Sequence, residues 1–349
     1  MPELDAGGIG FHARRTSEPF NRSPMARPHG TLILCGFLLT SLLTGAVLAP
    51  WLFKAGGWLV SMVNTFHWEK SPVLGWLAEQ CARSDFTRFF NRAMLIGAVA
   101  WLWPFLRWAG VRRDEIGLER NRFRWQDAAV GFIMGSGLLL VMGFMFINAG
   151  RFAGKPGVPV ASLAGMALFA AICVALLEEW FFRAGLFGLL LRTMRPLPAL
   201  LFLSFFFSII HLLQPPDETF VSPADVNAGS GFWVIGQIFA KFGNANFLLA
   251  EGATLFAVGL ILGWARLKTR SLWLGIGLHA GWVFGIKFFA GLTRTPKGVN
   301  GKDFMPWIGD DLKTGLVPLL VLSFTGLLVA GWMVLRRKAI STLPREYKK

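Results

Sequence analysis

Apolar residues run through this chain in long blocks, separated by short stretches in which arginine and lysine stand out. A helix that crosses a bilayer takes about 20 predominantly apolar residues, because its backbone groups must be satisfied within the segment. By that measure spans are expected at about 31–53, 91–109, 127–148, 161–191, 197–214, 247–267, 271–292 and 315–335. The fourth is long and can begin in the outer headgroup layer. The fifth is marginal by length, although Ala199 to Leu213 holds no polar side chain except Ser204, Ser208 and His211. Short gaps join the blocks, so one bundle is expected rather than separate globular units. The fold class is all-α, a polytopic transmembrane helix bundle of about eight spans.

Lysine and arginine beside the spans set the expected orientation. With the N-terminus in the cytoplasm, every inner connection is basic: Arg14, Arg15, Arg22 and Arg27; then Arg107, Arg112, Arg113, Arg120, Arg122 and Arg124; then Arg192 and Arg195; then Arg266, Lys268 and Arg270; and finally Arg336, Arg337, Lys338, Arg345, Lys348 and Lys349. The outer segments also carry acids, among them Glu69, Asp85, Glu218 and Asp303. Both termini are therefore expected in the cytoplasm. Residues 1–30 are polar with no apolar run, which predicts a retained, disordered cytoplasmic tail rather than a signal peptide. Three N-terminal transmembrane helices are expected within 31–148, a core of four within 160–292, and the last helix with a basic tail within 293–349. Between Pro215 and Asn246 the stretch Phe232 to Phe242 is apolar but too short to span. It reads as an interfacial helix or as a re-entrant lid. The spacings Gly259/Gly263 and Gly277/Gly281/Gly285 mark close helix packing.

Composition narrows the classes further. Hydrophobic residues make up 54% of the chain and charged residues only 16%, where a soluble domain carries nearer a quarter. The formal charge of +15 does not point to nucleic acid, because the cations sit beside the ends of apolar blocks, where lipid headgroups account for them. Membrane lipid is the expected partner. Cys35, Cys81 and Cys173 are too few and too scattered for a disulfide framework or a metal knuckle.

Ionisable side chains at mid-membrane depth are costly and so are functional candidates. The fourth span carries Glu178-Glu179-Trp180-Phe181-Phe182-Arg183. Glu179 and Arg183 lie four apart on one helix face and can pair. Glu178 points about 100° away with no intrahelical cation, which leaves it free to serve as a general base. His211 and His279 are the histidines within spans. Counted from Arg192, Arg195 and Arg270 at 1.5 Å per residue, Glu178, His211 and His279 lie roughly 21, 24 and 14 Å from the inner face. Those depths can meet in one cavity if the helices tilt.

Glu178-Glu179-x-x-x-Arg183, then Phe207-x-x-x-His211, then a Gly259-x-x-x-Gly263 helix leading through Arg270-Ser271-Leu272-Trp273 to His279, resembles the CAAX-protease and bacteriocin-processing (CPBP, or Abi) family. These are intramembrane endopeptidases that include the type II CAAX prenyl proteases. The resemblance covers about residues 160–290. It implies that Glu178 activates water with the help of His211, that His279 stabilises the oxyanion, and that Glu179 and Arg183 complete the site. It also implies a membrane-associated, lipid-modified or prenylated peptide or protein as substrate, and a bacterial plasma membrane as location. In the family the last histidine is usually followed four residues on by Asn or Asp; here that residue is Val283, which cannot donate a hydrogen bond. The oxyanion role then rests on His279 alone or is shared with Trp282 or Gln214. No cofactor is expected, since an HExxH helix is absent. Zinc is the alternative, with Glu178, His211 and His279 as its ligands. Val283 also leaves room for a catalytically inactive binding or immunity scaffold of the same fold. A proton-relay transporter is the other class, but no inverted repeat or pair of broken helices supports it.

Overall fold

The computed structural model describes residues 30–108, 123–216, 218–243 and 245–341. The expected N-terminal tail, Arg112, Arg113, Arg120 and Arg122, and the end of the basic C-terminal tail lie outside the described residues. Each expected span coincides with a helix: α1 (Gly30–Thr65), α3 (Phe86–Trp108), α4 (Arg124–Asn148), α5 (Val160–Glu178) continuing through a π-helical turn (Glu179–Leu186) into α6 (Phe187–Thr193), α7 (Pro196–Leu212), α9 (Ala245–Thr269), α10 (Trp273–Leu292) and α11 (Leu316–Ser341). Among the described residues, five helices are long and apolar enough to cross a membrane: Gly30–Thr65, Arg124–Asn148, Val160–Thr193, Trp273–Leu292 and Leu316–Lys338. The fifth expected span, α7, is apolar but short. Helices α3 and α9 have the length but carry charge, Arg88, Arg92 and Arg107 in one and Glu251, Arg266 and Lys268 in the other. The chain is an all-α membrane helix bundle.

Helix α1 runs well past its expected end near residue 53. The extension is held by packing, with Gly56 against Phe89 and Cys81 and Val63 buried. A short helix α2 (Leu74–Ala82) follows it before α3. The apolar stretch in 215–246 is helix α8 (Ser230–Lys241). Its Val234 and Ile238 are buried with Leu42, Ala46 and Ala49 of α1 and Phe86, Phe90 and Ala93 of α3. Phe232, Trp233 and Phe239 on its other face are exposed.

Glycine seams fix the helices that matter for the site. Helix α10 packs along α4 so closely that a Cβ at Gly277 would fall on the Ala128 carbonyl, and one at Gly281 on the Phe132 carbonyl. From the other side, a Cβ at Gly131 would lie 2.7 Å from the Leu274 carbonyl oxygen and one at Gly135 2.7 Å from that of Leu278. Helix α9 meets α7 in the same way, with Gly259 on Ser204 and Gly263 on Leu200. Backbones that approach this closely gain dispersion contacts, which largely replace the hydrophobic drive that lipid removes.

Buried charges latch the remaining helices. Asp127 on α4 is fully buried; it accepts a hydrogen bond from Trp332 Nε1 at 3.0 Å and pairs with Arg336 Nε at 3.1 Å, which ties α11 to α4. At the opposite end of α4 and α11, buried Arg151 donates to Asp310 Oδ1 and the Gly309 carbonyl, both at 2.9 Å, beside the two-residue strands β1 (Ala153–Gly154) and β2 (Thr293–Arg294).

Candidate active site

The motif Glu178-Glu179-x-x-x-Arg183 straddles the point where α5 widens into the π-helical turn. There the Phe187 N–H reaches back five residues to the Phe182 carbonyl. Such turns recur where a helix must re-aim side chains at a functional site. Glu178 and Glu179, adjacent in sequence, serve different neighbours.

Glu179 is enclosed. Its Oε1 lies 3.0 Å from Arg183 Nη1 and 3.0 Å from His279 Nδ1, and it is 1% exposed. The expected pairing along the helix is present, and a link across to α10 accompanies it. Gly275, one turn before His279, makes room for this carboxylate: a Cβ there would stand 2.8 Å from Glu179 Oε2. The Arg183 guanidinium lies over the Phe207 ring at 4.5 Å and beside Phe182 at 5.6 Å. None of its N–H groups is aligned on an acceptor, so its tie to Glu179 is ionic rather than directional.

Glu178 faces a cavity. Its Oε2 stands 3.4 Å from His211 Nε2 and 3.6 Å from His279 Nε2, so the side chains picked out in the sequence meet around one oxygen. They meet despite the roughly 10 Å difference in depth counted from the basic ends. Backbone and side-chain acceptors orient both rings. His211 Nδ1 lies 2.9 Å from the Phe207 carbonyl oxygen, which can only accept, so that nitrogen carries the proton. His279 Nδ1 likewise faces the Glu179 carboxylate. Each ring therefore turns Nε2, the nitrogen free to exchange a proton, toward Glu178. Carboxylate and neutral Nε2 are all acceptors, so this grouping calls for a donor among them, either a shared proton or the O–H of a water molecule. Phe207 thus contributes both its carbonyl to His211 and its ring to Arg183.

Two cavities meet at His211 and Gln214. One of about 320 Å³ is walled by α1, α3, α5 and α7 and includes Phe37, Ser41, Asn91, Met94 and Glu178. The other, about 200 Å³, lies between α7, α9, α10 and α11 and includes Thr254, His279, Trp282 and Val283. No residue of α8 lines either one, so the lid reading of the 215–246 segment gives way to a helix docked on α1 and α3. Lys241 at its end donates to the Gln214 carbonyl at 3.3 Å. The residues offered as zinc ligands have suitable donor atoms, but among the described residues no group of His, Cys, Asp or Glu forms a metal-holding cluster.

Residues 160–285 match the family described as type II CAAX prenyl endopeptidase Rce1-like. That segment is Rce1-like. The resemblance read from the motifs is borne out over this stretch. No curated protein and no solved structure matches the chain. The Rce1-like segment contains α5, the π turn, α6, α7, α8, α9 and most of α10, and so all of Glu178, Glu179, Arg183, His211 and His279. It leaves out α1, α3 and α4, which wall one cavity and support α10. Sequence reasoning passed over Gly131 and Gly135, although their spacing on the third span was the same signal as that of Gly277 and Gly281. It had no means of finding Asn91, whose Oδ1 is buried in the cavity wall without a hydrogen-bond partner.

Proposed function

We propose that this protein is an intramembrane endopeptidase that hydrolyses a peptide bond of a membrane-associated or lipid-modified peptide. The observation that carries the reading is the convergence of both Nε2 atoms on Glu178 Oε2 beside a cavity. Glu178 takes a proton from water held against His211 Nε2, and the hydroxide oxygen bonds to the scissile carbonyl carbon. The carbonyl oxygen becomes an oxyanion, which receives a hydrogen bond from the His279 ring when Nε2 is protonated. Glu179, shared between His279 and Arg183, keeps that ring aimed. Collapse of the tetrahedral intermediate breaks the C–N bond, and the amine departs with the proton that Glu178 had taken. Water reaches the site through the cavity, since hydrocarbon excludes it. A prenylated peptide suits the apolar wall of the larger cavity, and a cytoplasmic placement of both termini suits the basic inner connections. A bacterial plasma membrane is the proposed location.

The test uses purified protein in mild detergent with an internally quenched peptide carrying an S-farnesyl cysteine near its C-terminus, and the same peptide without the lipid. Wild-type protein is expected to cleave the lipidated probe, and Glu178→Gln to lose cleavage while keeping its melting temperature. Cleavage by Glu178→Gln at the wild-type rate would rule the mechanism out. Val283 favours one other reading, an inactive binding or immunity scaffold of the same fold. Tight binding of the probe by wild-type protein without turnover would select it.

A further inference from the structure

The hydroxyl of Thr254, on α9, stands out from the other buried hydroxyls among the described residues. Serine and threonine in an apolar helix ordinarily donate to the carbonyl one turn back. Thr40, Thr44, Ser136, Ser204, Thr269 and Thr325 all do so here. Thr254 does not: its Oγ1 is buried, the residue is 9% exposed, and the hydroxyl has no hydrogen-bond partner. A donor left unpaired in a low-dielectric interior costs free energy, so its persistence asks for a reason.

Its position supplies one. Thr254 lines the 200 Å³ cavity together with His211, Gln214, His279 and Val283. The contacts of α9 with α7 give its depth. Gly259 lies against Ser204, while Gly252 lies near Ser208 and Leu212 and accepts a hydrogen bond from Ser208 Oγ at 3.0 Å. Thr254 falls between these levels, near that of Phe207 to His211, where His279 also stands: the Phe207 and His279 ring centroids are 6.4 Å apart. Glu178 opens onto the other cavity and is absent from this one. A carbonyl attacked from the Glu178 side therefore turns its oxygen toward His279 and the 200 Å³ cavity. Val283, the residue four after His279, lines that cavity and offers no donor.

On the peptidase reading, we infer that Thr254 is a catalytic residue whose hydroxyl donates the second hydrogen bond to the oxyanion, beside His279 Nε2. The unpaired hydroxyl is then a donor held ready for charge that exists only in the transition state, which is how such groups accelerate a reaction. In the free protein it gains nothing.

The experiment compares Thr254→Val, Thr254→Ser and the double variant Thr254→Val/Val283→Asn, using the farnesylated quenched peptide. Thr254→Val keeps the shape and removes an unpaired polar atom, so its melting temperature should equal or exceed that of wild type. Its kcat should fall by about 10²–10³, the usual loss for one oxyanion donor, with KM little changed. Thr254→Ser should keep turnover within a few-fold, and Val283→Asn should restore part of what Thr254→Val loses. Unchanged turnover in Thr254→Val overturns this inference and leaves the peptidase reading standing. So does a loss in Thr254→Ser as deep as that in Thr254→Val, since the hydroxyl would then not be the active part. Wild-type turnover no higher than that of Glu178→Gln overturns the peptidase reading and this inference together.

Discussion

Removing the Glu179 carboxylate is the perturbation whose cost the structure fixes most sharply. The Arg183 guanidinium is 0% exposed and Glu179 only 1%. Around the cation lie the ring faces of Phe207 and Phe182, and no acceptor is aligned on its N–H groups. Glu179→Leu would leave that charge buried beside ring faces, with only the Glu178 carboxylate still acting on it, and would take the acceptor from His279 Nδ1. Breaking a buried ion pair by removing one partner costs about 3–5 kcal/mol. An ordinary hydrogen bond between membrane helices averages only about 0.6 kcal/mol in double-mutant cycles. The figures are far enough apart to decide. Arg183→Leu should cost less, because Glu179 keeps His279 as a partner. The double variant Glu179→Leu/Arg183→Leu should regain much of the stability lost by Glu179→Leu, since apolar residues often replace a buried pair at little cost. It should not regain hydrolysis, because His279 remains unheld. Reversible unfolding of the purified protein in mixed detergent micelles gives the stabilities, and the farnesylated probe gives the rates. A loss below about 1 kcal/mol for Glu179→Leu, or a double variant no more stable than Glu179→Leu, would refute the account of this pair.

The α4–α10 seam gives a second expectation. Gly277→Ala puts a Cβ on the Ala128 carbonyl, which separates the helices and carries His279 away from Glu178. A displacement of about 1 Å can cost 10²-fold in rate, so hydrolysis should fall at least tenfold. Gly137→Ala on the same α4, where the added Cβ meets nothing within 4 Å, should leave the rate unchanged; equal effects from both would remove the argument from close packing. For metal dependence, incubation with a strong zinc chelator should leave turnover of the probe as it was. Loss of turnover that returns on adding zinc would make Glu178, His211 and His279 ligands rather than a proton-transfer set.

The spans were legible because apolar blocks of the right length leave a bundle few alternatives. What the blocks did not reveal came from packing. Past Phe53 the sequence turns mixed, yet α1 continues to Thr65 because Gly56 admits Phe89 and Cys81. The widened turn at Glu179–Leu186 holds Gly185, but a lone glycine in an apolar helical block does not announce a π-helical turn. Glu178, Glu179, Arg183, His211 and His279 were legible for a different reason: an ionisable side chain in an apolar block is costly, so each one draws attention. Spacing along the helix pointed to Arg183 as the partner of Glu179. It could not show that His279, a hundred residues on, shares the same oxygen. Thr254 was invisible, because one threonine in an apolar helix reads like any other until its missing partner is seen.

The helices outside the Rce1-like segment bear on what the site can select. The candidate catalytic residues Glu178, His211 and His279 lie wholly within residues 160–285. The wall of the cavity that Glu178 opens onto does not: Phe37, Leu38 and Ser41 come from α1, and Asn91, Met94 and Leu95 from α3. That wall is apolar except at Ser41 and Asn91, and Ser41 already gives its hydroxyl to the Phe37 carbonyl at 2.7 Å. The Asn91 amide oxygen is then a buried acceptor in this wall without a hydrogen-bond partner. A peptide entering there meets apolar surface for a lipid or an aliphatic side chain, and the Asn91 oxygen could accept a backbone N–H only after its side chain turns outward. On the peptidase reading, chemistry and choice of substrate therefore reside on different parts of the chain. The motif helices would then carry the reaction, while α1 and α3, where no motif was found, would bear on which peptide is presented to it.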